Sequence, residues 1–406
     1  MRIAIASDIH VGKYSRALDL RPVVEEDAFG DQAYIDTFLK FLQREDIIAD
    51  YLVCPGDATS QADTAEFKLA WDSLDQIRRQ LGVEPDHFLF VPGNHDVNWS
   101  VTRDHASDTS GYWRSQRYGP LLYPDWGFKN VLGNGGKSQT TEPWFDIWEF
   151  SDLLVIGINS SAHDDYDIAL HHGLVFQDTL DALSLLLPTL RLDDARTRAV
   201  IVHHHPIGQT SPIPNVPEFS AMTNAEQLIS LLAEYKFDLL IHGHRHAPSM
   251  QIHSPNRRFP LVIMGAGSFG VELESDWSGS VNNQFHLLDI VARDVGTGKI
   301  YGHARNWAYV VGKSWIESET HNGIPFDMPF GTYIEREELG RHLSPLIQKG
   351  LADRGYVELN TLRSLDWRLE YVPAPLLTDA LLDLQTDCKY RYTDGTAGIV
   401  LLGDDS

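Results

Sequence analysis

Cysteine is nearly absent: the 406 residues contain Cys54 and Cys388, far apart in the chain, and no others. A disulfide framework and a cysteine-based zinc site are thereby excluded. Cys54, in "YLVCPGD", reads as a small buried strand residue. Basic residues are also scarce, with 33 Lys and Arg against 57 Asp and Glu and a formal net charge of −24. No run of Lys and Arg occurs, which works against the broad basic face that nucleic acid or acidic lipid requires and leaves room only for a local basic groove, and the acidic surplus reads as solubility. No apolar run approaches the roughly 18 residues of a membrane helix. "MRIAIASDIH" opens directly on an alternating strand pattern, without a charged leader and apolar signal core. The expectation is a soluble, cytoplasmic protein. Low-complexity tracts are absent too, and with 43% hydrophobic residues the composition is that of a folded body. The length accommodates one large domain and a smaller one.

Short β-rich runs alternate with helical patterns. "RIAIAS", "DYLVCP", "HFLFVP", "LLVIGIN", "RAVIVH", "DLLIHG" and "PLVIMGAG" read as strands, and residues 33–45, 62–81, 177–187 and 224–235 as helices. This alternation predicts an α/β fold with sheets covered by helices. "FHLLDIVARDVGTGKIYGHARNW" reads as a hairpin that closes the main domain. Residues 98–150 hold five of the ten tryptophans and read as an aromatic-rich insertion, either a lid or substrate wall or a small packed subdomain. Beyond residue 318 the strand pattern stops. Residues 319–406 read as a separate α+β C-terminal module with two helices and a terminal hairpin near Asp394-Gly395, and no motif in it carries chemistry.

The residues directly behind the strands are the informative ones. After the first strand come Asp8 and His10, after the second Asp57, and after the third Asn94, His95 and Asp96 in "PGNHD". Later strands end in "HHHP", His203 to Pro206, and in "HGHRH", with His244 and His246. Each block taken alone would be a turn, because Gly, Asn and Asp dominate turns for backbone reasons. Five blocks with complementary donors in one series are another matter. In open α/β sheets ligands bind beyond the carboxyl ends of the strands, where such loops converge. Carboxylates and imidazoles gathered there without cations would repel or shift one another, which calls for metal ions. The donors suit manganese and iron, with zinc, nickel and cobalt also compatible. Seven donors are too many for one tetrahedral ion and suit two ions sharing a carboxylate. A pair of ions roughly 3.5–4 Å apart clamps an in-line phosphoryl displacement and supplies hydroxide near neutral pH.

The ordered series Asp8-x-His10, Gly56-Asp57, Gly93-Asn94-His95-Asp96, His204-x-Pro206 and Gly243-His244-x-His246 resembles the five blocks of the calcineurin-like metallophosphoesterase superfamily, over residues 1 to about 310. "HHGLVFQDTLDAL" is similar to its Gly-x(4)-Gln helix start, and "MGAGSFG" to its Gly-Ser strand end. The resemblance implies a four-layer α/β/β/α sandwich as catalytic domain, residues 1–318. It also implies that Asp8, His10 and His246 hold one metal, that Asn94, His204 and His244 hold the second, and that Asp57 bridges them. His95 would be the general acid that protonates the leaving oxygen, and Asp96 would orient it. In "HHHP" the family pattern picks His204, which leaves His203 toward the core and His205, with Asn94, as a substrate contact. Strand alternation does not choose among the three. His171 and His172 are placed to reach the site only through the loop before Gly173.

The implied reaction is attack of a metal-bridging hydroxide on a phosphate ester. The Asp-Arg-Gly extension of the superfamily's protein phosphatases is replaced here by "GDATSQAD", without the phosphate-clamping arginine. Its absence weakens binding of a dianionic monoester more than of a diester. The blocks look closest to class III cyclic-nucleotide phosphodiesterases and glycerophosphodiesterases, so a small-molecule or cyclic-nucleotide phosphodiester is the expected substrate. A phosphomonoesterase, a nuclease and a non-catalytic metal-binding scaffold are the alternatives. The C-terminal module offers a place for a second copy or a partner protein.

Overall fold

A computed structural model of the chain describes residues 1–24, 30–105, 107, 114–122, 144–164, 171–191, 195–208, 220–254, 259–273, 281–332, 335–395 and 398–403. They form two compact units, Met1–Leu288 with Arg305–Phe326, and Asp289–Ala304 with Asp327–Ser406.

The first unit is built on two sheets. Strands Arg2–Ile5 (β1), Tyr51–Cys54 (β2) and Phe88–Phe90 (β3) pair in parallel, each followed by a chain reversal. Strands Phe145–Glu149 (β4), Leu153–Ile158 (β5), Thr197–Val202 (β6), Leu239–His242 (β7), Ser249–His253 (β8) and Leu261–Gly265 (β9) form the second sheet in the order β4-β5-β6-β7-β9-β8. Its central strands β5, β6, β7 and β9 are parallel and almost wholly apolar, as strands buried on both faces must be. Strands Gln284–Arg293 (β10), Ile300–Val310 (β11) and Ser314–Glu317 (β12) extend the first sheet to the order β12-β11-β10-β1-β2-β3, and Asp327–Phe330 (β13) pairs with β11.

Helices Tyr34–Arg44 (α1) and Thr64–Gln80 (α2) cover the first sheet, with Phe38, Phe41, Phe67 and Leu74 packed on Ala4, Leu52 and Phe90. A short helix, Trp99–Asp104 (α3), follows β3. Helices Gln177–Leu186 (α4) and Ala225–Glu234 (α5) cover the second sheet through Leu180, Leu183, Leu228 and Leu232. The opposite faces are buried as well, Ile3, Ile5 and Val53 on one sheet and Val155, Ile201 and Ile241 on the other. Tyr51 Oη donates to Asp152 across the gap at 2.6 Å. The α/β/β/α order expected from the sequence is the order found. All seven strand runs and all four helices read from the sequence form.

The N-cap of α2 is Asp63, whose carboxylate accepts from Ala65 N at 2.7 Å. Asp63→Ala should cost about 1 kcal/mol, read as lost hydrogen-exchange protection in the first turn of α2.

The second unit has its own core. Helices Arg336–Arg354 (α6), Leu359–Leu365 (α7) and Ala374–Cys388 (α8) bury Leu343, Ile347, Leu362, Leu377 and Leu381 with Leu401 of a three-stranded antiparallel sheet. That sheet is Tyr356–Glu358 (β14), Tyr390–Gly395 (β15) and Gly398–Gly403 (β16), in the order β14-β16-β15. Among the described residues no helix is long and apolar enough to cross a membrane. Most of the aromatic insertion, including Trp113 and Trp126, lies outside the described residues, and so does its reading as a lid.

Candidate metal centre

The loops that follow β1, β2, β3, β6 and β7 meet at the carboxyl ends of the two sheets. Five of their residues, Asp8, His10, Asp57, His244 and His246, have left-handed backbone, with φ between 52° and 73°. That region costs an L-residue roughly 1–2 kcal/mol, and Asp, Asn and His tolerate it best. The sharp reversal turns each side chain back over the sheet edge instead of onward along the strand. Gly56 (φ +106°) makes the same reversal where a Cβ would collide with the His203 ring, and a Cβ on Gly243 would strike the Asp8 carboxylate.

Two groups of donors result. Asp8, His10, Asp57 and His246 each offer an atom within 4.8 Å of the others, and so do His203, His204 and His244. In the first group His10 Nε2 faces His246 Nε2 at 3.2 Å, Asp8 Oδ1 lies 3.4 Å from His246 Nε2, and Asp57 Oδ2 lies 3.6 Å from His10 Nε2. In the second, His203 Nε2 lies 3.1 Å from Asn94 Oδ1, 3.2 Å from His244 Nδ1 and 3.2 Å from Asp57 Oδ2. Asn94 Oδ1 is also 3.0 Å from His244 Nδ1. Asp57 Oδ2 therefore faces both groups, while its Oδ1 accepts from His95 N at 2.8 Å.

The three consecutive histidines part company here. β6 ends at Val202, so His203 leaves the strand. Its Nδ1 donates to the Pro55 carbonyl at 2.8 Å, which turns Nε2 inward to Asn94 and Asp57. His204 belongs to the same donor group and has further partners, Nδ1 with Ser160 Oγ at 2.8 Å and Nε2 with the His171 carbonyl at 3.0 Å. His205 is fully buried, its ring 5.9 Å from that of His244 and 6.1 Å from that of His242. The family pattern puts His204 inward and His203 toward the core; here His203 Nε2 is the nitrogen beside Asn94 and Asp57, while His204 stays in the same donor group with its ring 4.4 Å from that of His244.

Asp96 also differs from expectation. Its carboxylate accepts from Gly93 N (2.9 Å), Thr59 N (3.0 Å), Thr59 Oγ1 (2.9 Å) and Ala58 N (3.3 Å). It ties the loop after β3 to the loop after β2. The His95 ring is held instead by the Ser60 carbonyl, 3.0 Å from Nδ1, and it meets the His10 ring edge-on at 4.7 Å.

Electrostatics fit cations. Burial drives His10 down to about 3, and it takes His204 and His244 well below the usual imidazole range, so these rings are neutral with lone pairs available. Burial acts in the same direction on His203, but the Asp57 carboxylate outweighs it and lifts the ring to about 9. For Asp57 burial favours the neutral acid, yet the surrounding imidazoles, His203 first, bring it well below the carboxylate range. Two pairs of imidazole nitrogens lie 3.2 Å apart, His10 with His246 and His203 with His244, close enough to share a proton or to face one cation together. Two ionised carboxylates, an amide oxygen and these four imidazoles are together a donor set for two borderline ions. His10 Nδ1 is buried without a hydrogen-bond partner.

Several further residues stand around the two donor groups. Tyr14 stands edge-on to His95, ring centroids 5.6 Å apart. Ser7 Oγ donates to Asp8 Oδ2, and Ser268 Oγ to the Asp8 carbonyl at 2.8 Å. Asp164, fully buried, accepts from Trp99 Nε1 at 3.2 Å and lies 3.0 Å from His171 Nδ1, and the His171 ring stacks on Trp99 at 4.6 Å. No pattern in a single sequence marks Tyr14, Ser7 or Asp164, whereas Ser268 falls in the "MGAGSFG" strand end and His171 in the loop before Gly173.

Solved structures similar to this chain include a protein assigned as a 5'-nucleotidase from Staphylococcus aureus (14% identity, 74% of this chain, 52% of that one, TM-score 0.40). They also include the calcineurin-like phosphoesterase YfkN from Bacillus subtilis (15%, 79% and 94%, TM-score 0.40) and the phosphopantetheinyl hydrolase PptH from Mycobacterium tuberculosis (16%, 68% and 91%, TM-score 0.37). The chain spans about half the length of the Staphylococcus protein. No protein of curated function matches it in sequence. The family model described as calcineurin-like phosphoesterase matches residues 1–248, a span that begins before Asp8 and ends after His246. The donors that the two sheets bring together thus all fall inside it, and the chain belongs to the calcineurin-like phosphoesterases.

Proposed function

We propose that this phosphoesterase hydrolyses a phosphodiester of the small-molecule or cyclic-nucleotide type. The observation that carries the reading is Asp57 Oδ2 between two donor groups, with His95 held over the same cleft. Asp8, His10 and His246 would hold one ion, Asn94, His203 and His244 the other, and Asp57 both. His203 takes the place first expected for His204. Bound there, the ions supply positive charge to the phosphate and make hydroxide available near neutral pH. His95 donates the proton to the leaving oxygen, held for it by Ser60. Asp96 acts on the loops, keeping Asn94 and Asp57 in register.

The preference for diesters rests on charge. The cleft beside the centre, about 420 Å³, is lined by His10, Tyr14, His95, His246, Glu272 and two aliphatic residues, without Lys or Arg among them. A monoanionic diester needs less compensation there than a dianionic monoester. The manganese form should therefore show a higher kcat/KM on bis(p-nitrophenyl) phosphate than on p-nitrophenyl phosphate. The reverse order would make the protein a monoesterase.

The two histidines are separable by experiment. His203→Ala should lose one of the two ions by elemental analysis, while His204→Ala keeps both and loses thermal stability through its broken bonds to Ser160 and the His171 carbonyl. Loss of an ion in His204→Ala alone would restore the first expectation.

A further inference from the structure

We propose that Tyr14, Glu272 and Leu273 form a slot for a leaving group that carries a neutral planar heterocycle, as a nucleoside does. The proposal rests on His95 as the proton donor, because the leaving group must depart on that side. The cleft that His95 shares with the donors His10 and His246 is walled beyond them by Tyr14, Val271, Glu272 and Leu273. Its volume of about 420 Å³ falls within the range of small-ligand sites.

The slot is rigidly mounted on the catalytic loop. Ser60 Oγ accepts from Tyr14 N at 3.2 Å, and the carbonyl of the same Ser60 holds His95 Nδ1 at 3.0 Å. Beside it Glu272 N donates to the Tyr14 carbonyl at 2.7 Å, and Ser15 pairs with Val271 in a short antiparallel bridge, so the two segments are tied together. An aromatic side chain that is 41% exposed, fixed edge-on to a proton donor and sharing its cleft with aliphatic residues, suits a flat ring. The Glu272 carboxylate adds an acceptor for ring or amino N–H groups.

Tyrosine with glutamate would also suit a quaternary ammonium. Here both attractors already have cations of their own. Lys13 Nζ lies 4.6 Å from the Tyr14 ring centroid, and Arg21 Nη2 lies 3.3 Å from Glu272 Oε2. These neighbours shift the balance from a charged ligand to a neutral ring.

The test is calorimetric titration of adenosine, choline and glycerol into the full chain, metal-free and manganese-loaded. Adenosine should bind wild type and Tyr14→Phe alike and bind Tyr14→Ala about tenfold more weakly, with choline and glycerol weaker throughout. In turnover, Tyr14→Ala should reduce the kcat/KM ratio of an adenosine-bearing to a ring-free diester about tenfold, chiefly through KM. Equal adenosine affinity in Tyr14→Ala and wild type, or choline binding tighter than adenosine, would overturn the slot. If no phosphate ester is turned over but adenosine binds as described, the hydrolase reading fails and the slot stands.

Discussion

Asp57→Asn is expected to lower turnover by roughly 10³-fold or more and to leave less than the full pair of ions bound. The size comes from the position of one oxygen. Asp57 Oδ2 lies 3.2 Å from His203 Nε2 and 3.6 Å from His10 Nε2 and so faces both donor groups. The amide keeps an oxygen for His95 N, so the local backbone should survive, but the charge shared by the two sites is gone. Two positive ions close together without an anion between them repel, and the transition-state charge stabilisation they supply, several kcal/mol, goes with them. Elemental analysis and turnover of the same sample check this. A variant that still binds two ions would contradict the bridging role.

His95→Ala should reduce turnover by roughly 10²–10⁴-fold and leave metal content nearly unchanged. The ring is held by the Ser60 carbonyl, and the backbone N–H that binds Asp57 survives the substitution. A proton donor matters most when the leaving oxygen is basic. The loss should therefore be larger on an alkyl diester than on a p-nitrophenyl ester, whose leaving group departs without help. Equal losses on both, with ions missing, would make His95 a structural residue.

The layers of the first unit were legible because parallel buried strands are short apolar runs bounded by turn chemistry, and because α1, α2, α4 and α5 carry their apolar residues at helical spacing. The donors were legible because five strand ends carry complementary Asp, Asn and His groups in one series, although each block alone reads as a turn. Which of His203 and His204 turns inward was not legible. Alternation holds only inside the strand, and β6 stops one residue too early. The role of Asp96 depends on the distance between two loops that are far apart in sequence, and its four partners are Gly93, Ala58 and Thr59 groups, three of them backbone N–H groups that almost any residue type could offer. Tyr14 was invisible because one aromatic after a ligand pair has no periodicity to betray it. In the second unit the long helices and the terminal hairpin were readable, whereas β14 and α7, three and seven residues long, carry too few residues to show a period.

The two-ion centre is tested most directly by turnover of bis(p-nitrophenyl) phosphate by the full chain, with bound metal counted in the same sample, before and after chelation and after manganese is returned. The expected result is two ions per chain, activity lost with them and restored with manganese. Two bound ions with no turnover of any phosphate ester, whether manganese, iron, zinc, nickel or cobalt is supplied, would contradict it and leave a metal-binding scaffold in place of an enzyme.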